Sequence, residues 1–252
     1  MNELNNNKNN SNFGYKKVSE TQKTSLVNNV FTSVTEKYDL MNDLMSFGLH
    51  RVWKHYFLLC SHIKSGDRVL DLASGTGDIS KLISKAVGDE GEVISCDINY
   101  SMLNKGRDNL INSGIFKNIT YVQADAQKLS FEDESFNHVA IAFGLRNTAN
   151  IEKVLQSIYR TLKPGGSIQI LEFSKAEKII EKPYNIFLKN FIPFLGKYVA
   201  KDEDSYKYLA ESIEMHPSQK ELLKLMEKTN FKNCQYNNLS LGVVSIHKGY
   251  RI

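Results

Sequence analysis

Val69-Leu70-Asp71-Leu72-Ala73-Ser74-Gly75-Thr76-Gly77-Asp78 is the stretch on which the fold turns: an apolar run meets an acid and then two glycines. An apolar strand that empties into a Gly-x-Gly loop before an amphipathic segment reads as the opening of a nucleoside-binding α/β unit. Gly75 and Gly77 permit backbone conformations and close approaches that a side chain would block. Asp97, about 20 residues further on, closes the next strand and is placed to accept hydrogen bonds from a ribose diol.

Outward from this stretch, residues 67–173 alternate short β-branched runs with amphipathic segments, the pattern of a parallel sheet covered on both faces. Strands are expected at Arg68–Leu72, Glu92–Asp97, Ile119–Gln123, 138–143 and 167–173, with helices at Asp78–Val87, 101–113 and 151–162. The last helix is expected to stop at Lys163-Pro164-Gly165-Gly166, where proline cannot continue it and glycine permits a turn. Residues 178–216 then break the rhythm with a long, aromatic, helical stretch that reads as a lid or substrate insert. A capping box at Ser218-Gln219-Lys220-Glu221 starts a helix running to Thr229. Two strand-like runs, 231–239 and 242–251, are separated by only Ser240-Leu241, which favours an antiparallel hairpin.

With 252 residues and 41% hydrophobic content, the chain fits one sizeable α/β domain, spanning 13–252. Met1 to Asn12 is dominated by asparagine and is expected to be a disordered tail. The formal charge of +4 is modest, and no Lys/Arg cluster is interleaved with aromatics, so nucleic acid is not an expected partner. Cys60, Cys96 and Cys234 show neither disulfide nor zinc spacing; no metal is expected, and a reducing cytoplasm fits. No apolar run approaches the ~18 residues of a membrane span, and no signal peptide is apparent.

The Gly-x-Gly loop distinguishes two cofactors. A dinucleotide fingerprint needs a third glycine, and Ser80 stands there instead. Asp71 to Gly77 completes D-x-x-x-G-x-G, which resembles the first motif of S-adenosylmethionine-dependent methyltransferases. That resemblance implies Asp71 and the loop Gly75-Thr76-Gly77 on the methionine part, Asp97 on the ribose and Asp125-Ala126 on adenine. A cationic sulfonium also suits a carboxylate-rich pocket better than a pyrophosphate would. The C-terminal hairpin agrees, since it resembles that of the Class I methyltransferase fold, a mostly parallel seven-stranded α/β sheet. Tyr159-Arg160-Thr161-Leu162-Lys163 matches the Y-x-x-x-K pair of short-chain dehydrogenases, but Lys163 sits at a helix end before Pro164, and two common residues coincide easily.

Three further segments narrow the family. Residues 38–53, Tyr-Asp-Leu-Met-Asn-Asp-Leu-Met-Ser-Phe-Gly-Leu-His-Arg-Val-Trp, match the first signature of the UbiE family of quinone-biosynthesis C-methyltransferases. Residues 160–166, running on to Leu171-Glu172-Phe173-Ser174, resemble its second signature, with Thr161 where an aliphatic residue is usual. Phe143-Gly144-Leu145-Arg146-Asn147 leaves the fourth strand where substrate should meet the methyl group. The likeness covers nearly the whole chain, through Asp204 to Ile213, Met215-His216-Pro217 and Lys248-Gly249-Tyr250-Arg251; Ser74, Asp125 and Ala142 are small departures.

The resemblance implies methylation of a ring carbon of a polyprenylated benzoquinol, and of demethylmenaquinol as a second substrate, with S-adenosylmethionine as donor. Arg146 is the first candidate to anchor the phenolate or orient a water, because a guanidinium is too weakly acidic to act easily as a base. His50 is the second, with a pKa suited to proton transfer. Tyr38, Asn42, Trp53, Tyr206, Tyr208 and His216 are candidates for the ring pocket. Residues 184–198 combine aromatic and aliphatic residues with Lys189 and Lys197, which suits an isoprenoid tunnel or transient contact with the inner membrane surface; a buried helix broken at Pro193 fits equally well. A homo-oligomer and contact with other quinone-biosynthesis proteins stay open. An O- or N-methyltransferase, and a non-catalytic subunit of a quinone-biosynthesis complex, are the competing readings.

Overall fold

In a computed structural model, which describes residues 10–252, apolar strands with almost no exposed surface form the centre of one mixed sheet. After a short hairpin, β1 (Asn10–Phe13) and β2 (Lys16–Ser19), come the helices α1 (Glu20–Val34), α2 (Tyr38–Ser46) and α3 (Leu49–Leu59). The core then alternates β3 (Arg68–Leu72), α4 (Asp78–Val87), β4 (Glu92–Asp97), α5 (Tyr100–Asn112), β5 (Ile119–Gln123), β6 (Phe136–Ala142), α6 (Ile151–Thr161) and β7 (Leu162–Phe173). The lid comprises α7 (Lys178–Ile186), α8 (Ile192–Leu195) and α9 (Glu203–Met215). The chain closes with α10 (Gln219–Lys228), β8 (Lys232–Leu239) and β9 (Val244–Tyr250).

The sheet order is β5-β4-β3-β6-β7-β9-β8, parallel except for β9, which is antiparallel to both neighbours. This is the expected seven-stranded architecture with its terminal hairpin. The order reverses between β3 and β6, and at such a switch point the loops leaving the two strands diverge and open a crevice at their carboxyl ends. Val69, Leu70, Leu72, Val139 and Ile141 fill both faces beneath it, holding the strand ends rigid.

Three details differ from expectation. Lys163-Pro164-Gly165-Gly166 does not form a separate turn: β7 begins at Leu162, opposite Phe136, and the next paired position is Ser167 opposite His138, so the segment is an irregular part of the strand. Asn10 to Asn12, assigned to the tail, belong to β1, paired in register with β2, while positions 1–9 of that tail lie outside the described residues. Pro193, the expected break of a buried lid helix in one of two readings, does not break it, because a π-helical turn at Phe187–Phe191 precedes it and Ile192 N–H reaches Phe187 O. Widening the turn relieves the clash between the proline ring and the preceding carbonyls.

Candidate functional site

Two adjoining cavities open above the switch point. The first, about 780 Å³, is floored by Gly75, Asp97, Asp125 and Ala126 at the strand ends and roofed by Thr24, Val27, Asn28 and Phe31 of α1. Asp97 is fixed from two sides: Gly75 N–H donates to Oδ2 at 2.9 Å and Asn99 N–H to Oδ1 at 2.8 Å. Burial pushes its pKa up, so an occupant that brings hydroxyl donors is favoured. Asp125 lines the same cavity while accepting from Gln127 N–H at 2.9 Å, so it caps a turn and faces the cavity at once. Gln127 Oε1 is buried without a partner there, an acceptor awaiting a donor. Two carboxylates and an orphaned amide oxygen suit a nucleoside with a ribose diol and an exocyclic amine, and S-adenosylmethionine has both.

Other motif residues build the cavity without lining it. Asp71 is buried behind the loop, accepts from Ser80 Oγ at 2.5 Å, and burial, aided by the nearby charge of Asp97, raises its pKa to about 7. Thr76 Oγ1 donates to Asp39 at 2.7 Å and so ties the glycine loop to α2. Gly77 is a close-packing position: a Cβ there would lie 2.9 Å from Leu110 Cδ1, and one on Gly106 would lie 2.8 Å from Gly75 O. Asp71, Thr76 and Gly77 thus have structural partners in the loop, beside the Gly75 backbone that faces the cavity. Asn99 completes the roof, its amide reaching Asn28 O, Asn28 Oδ1 and Thr32 Oγ1 at 2.9–3.0 Å.

The second cavity, about 1000 Å³ and mainly apolar, lies between α1–α3, the ends of β6 and β7, and the lid. Tyr38, Asn42, Trp53, Tyr206 and Tyr208 all line it. His216 does not; it is buried elsewhere, after α9. Phe31, Tyr38, Phe143 and Asn147 line both cavities, so the two share a wall. At that wall Phe143 holds φ 58°, uncommon for a bulky residue, and its N–H donates to Leu171 O at 2.7 Å. Gly144 follows because a Cβ there would sit 2.4 Å from that of Ala73.

The two catalytic candidates both line the second cavity, in different states. Arg146 is 8% exposed, donates from Nη1 to Glu172 Oε1 at 2.7 Å and to Phe143 O at 2.5 Å, and lies over the Phe173 ring. Its charge is balanced by a fully buried Glu172. His50 places Nε2 at 2.8 Å from Asp43 Oδ1. Two hydrogen bonds from Arg51, at 2.8 and 2.6 Å, with that from His50, hold Asp43 well below the usual carboxylate range. An ionised Asp43 can only accept, which places the imidazole proton on Nε2 and leaves Nδ1 with its lone pair. Nδ1 is buried and without a partner, and burial lowers the pKa of the ring.

Asp43, Glu172, Tyr184 and Gln127 were not singled out as site residues. Asp43 and Glu172 lie within the two family signatures, but their roles depend on partners 7 and 26 residues away. Tyr184 lines the second cavity from the lid with its hydroxyl buried and unpartnered, and burial raises its pKa. No local pattern distinguishes it from the neighbouring aromatics.

A model of the ubiE/COQ5 methyltransferase family matches residues 16–251. The chain belongs to this family. It is 52% identical over 240 residues to the ubiquinone/menaquinone biosynthesis C-methyltransferase UbiE of Coxiella burnetii (strain RSA 331), covering 95% of this chain and 96% of that protein. The UbiE of Methylococcus capsulatus is 48% identical over 244 residues, covering 96% and 98%. Among solved structures, a SAM-dependent methyltransferase from Thermotoga maritima superposes with a TM-score of 0.62 at 18% identity, covering 89% of this chain and 99% of that one. One from Aquifex aeolicus gives 0.57 at 18%, covering 79% and 89%. These likenesses establish the S-adenosylmethionine-dependent methyltransferase fold for this ubiE/COQ5 member.

Proposed function

We propose that the protein transfers a methyl group from S-adenosylmethionine to a ring carbon of a polyprenylated quinol in ubiquinone biosynthesis, with demethylmenaquinol as a second acceptor. The observation that carries this reading is the pair of cavities with a common wall, one carboxylate-floored and one apolar, in a chain about half identical to UbiE proteins over almost its whole length. Asp97 would hold the ribose, Asp125, Ala126 and Gln127 the adenine end, and Gly75 the loop against the methionine part. The bound donor supplies a methyl group on a sulfonium centre. The chain's own contribution is orientation and a proton acceptor.

His50 Nδ1 takes the proton of one quinol hydroxyl, while Asp43 stabilises the resulting imidazolium. The electron pair left on oxygen raises the nucleophilicity of the ortho carbon, which forms the new carbon–carbon bond as the methyl–sulfur bond breaks with its pair on sulfur. His50 returns its proton to the oxygen, its freed Nδ1 then takes the hydrogen of the substituted carbon as a proton, the ring regains aromaticity, and His50 passes that proton to solvent as the products leave. Quinol and sulfonium thus give methylquinol, thioether and one proton. Arg146, already neutralised by Glu172, supplies a fixed positive edge for the phenolate. Tyr184, closing from the lid, donates to the second ring oxygen.

The isoprenoid tail would leave past Met45, Phe187, Leu188 and Ile192. Phe47, 74% exposed, packs against Phe187 and Phe191, and Val52 of α3, Ile186 of α7 and Phe194 of α8 are also exposed. With Lys189 and Lys197 on the lid, this apolar surface suits shallow contact with an anionic bilayer holding the substrate. No described helix is long and apolar enough to cross a membrane.

Incubation with methyl-labelled S-adenosylmethionine and a short-tailed, chemically reduced demethylquinol tests the reading, with the label located by mass spectrometry and NMR. Label on a ring carbon is expected; label on oxygen would replace it with an O-methyltransferase.

A further inference from the structure

A third cavity, about 890 Å³, lies on the other side of Arg146 and is polar where the quinol cavity is apolar. Lys23 of α1, Arg146, the first residues of α6 and His216 line it. Lys23 is 7% exposed and makes a single polar contact, 3.4 Å from Nζ to Arg146 O; among the described residues it has no carboxylate partner. His216 is 5% exposed with both ring nitrogens unpartnered. Burial, and then the nearby Arg146, His247, Lys175 and Lys23, hold the His216 pKa well below its ordinary value. Glu152 is the one acid among the lining residues, and Lys228 already pairs with it at 3.0 Å.

The cavity also receives the N-terminus of α6, an 11-residue helix capped by Asn150, whose side chain accepts from Lys153 N–H. The cap satisfies Lys153 N–H, while the N–H groups of Ile151 and Glu152 have no helical partner, at the positive end of the helix dipole. A buried lysine is ordinarily paired, and orphaned buried nitrogens are rare. At the helix N-terminus Glu20 accepts from Asn150 and Lys153, and Glu152 lies in the first turn, but neither carboxylate pairs with Lys23 or His216; the buried lysine and the unsatisfied imidazole bordering this cavity lack the same thing, a negative charge.

We propose that this cavity binds a small soluble oxyanion of the phosphate class, held by Lys23, His216 and the N-terminus of α6. Arg146 borders both this cavity and the quinol cavity, but Lys23 and His216 line neither the donor nor the quinol cavity, so anion binding is measured separately from methyl transfer.

Calorimetric titration of the full chain with sodium phosphate, against sodium chloride at matched ionic strength, tests the site. A Kd of about 1 mM or tighter is expected. Lys23→Met should weaken binding by about 10-fold or more, corresponding to loss of one charge-assisted hydrogen bond. The His216 imidazole signals, assigned by their loss in His216→Asn, should move with phosphate and stay in place with chloride. Neither heat nor signal movement up to about 20 mM phosphate would overturn the proposal, as would unchanged affinity in Lys23→Met. If Lys23→Met does not fold, the His216 signals of the unaltered chain decide alone. Phosphatidylcholine vesicles with and without phosphatidic acid separate a lipid headgroup from a free ion. Binding only to the acidic vesicles, with no response to inorganic phosphate, overturns the soluble-anion assignment.

Discussion

The donor cavity and the quinol cavity share a wall but are made of different material. The donor side has its polar groups at strand ends, and Asp97 is fixed by Gly75 and Asn99 of the protein itself. The quinol side is walled by helices, and its polar atoms His50 Nδ1, Arg146 Nε and Tyr184 OH are buried without partners. A preorganised floor binds a donor common to many reactions, whereas unpaired groups in an apolar chamber are satisfied only by an acceptor carrying oxygens in the right places.

Substitutions can break this contrast. The largest effect is expected at His50: His50→Gln should lower kcat by about 100-fold or more while leaving donor affinity within a factor of ~2, as measured by steady-state kinetics and calorimetry. The pH profile gives a second view. Burial holds the His50 pKa below its ordinary value of 6.5, so the base stays neutral and the rate should remain on its plateau below pH 6.5, falling only in more acid solution. Asp97→Ala should do the reverse of His50→Gln, weakening donor binding by about 100-fold through loss of charge-assisted contacts to the ribose. If Asp97→Ala instead altered kcat at saturating donor, the division between the cavities would be wrong.

Tyr184→Phe should raise KM for the quinol by about 10-fold with little change in kcat. It should also abolish the preference for a quinol over a monohydroxy analogue that lacks the second oxygen. A Tyr184 that merely packs would leave that preference intact. The smallest effect concerns stability. Because the folded-state pKa of Asp71 is raised from 3.8 to about 7, stability associated with this group is fully present below pH 3.8 and is lost as pH rises through about 7. Asp71→Asn, keeping an acceptor for Ser80, should therefore raise Tm by about 5 °C at pH 8 and converge with the wild type in acid.

The same contrast explains what could be read from the sequence. The sheet was legible because strand periodicity, the glycine loop and the terminal hairpin are local patterns, and β3, β4 and β5 begin and end where expected. Asp97 and Asp125 were legible because strand ends fix their positions. Asp71 and Gly77 were legible in place, but not their contacts with Ser80 and Leu110, since a motif gives order along the chain and not which atoms a neighbouring helix covers. Gly106 carries no motif, yet its missing side chain lets α5 approach Gly75. The quinol side depends on contacts between segments far apart in the chain: Phe13 stacks on Tyr208, whose hydroxyl donates to Asn147 at 3.1 Å. His216 was misplaced for that reason, because its neighbour in sequence, α9, faces two different cavities.

Helix α1 has a kinetic consequence. It roofs the donor cavity through Thr24, Val27 and Asn28, walls the quinol cavity through Val30 and Val34, and contributes Phe31 to both. Asn99 pins this helix through Asn28 and Thr32, so a movement of α1 that freed spent donor would also loosen the quinol chamber. The two products are therefore retained by one latch, and a first turnover faster than all later ones, a pre-steady-state burst, is its signature.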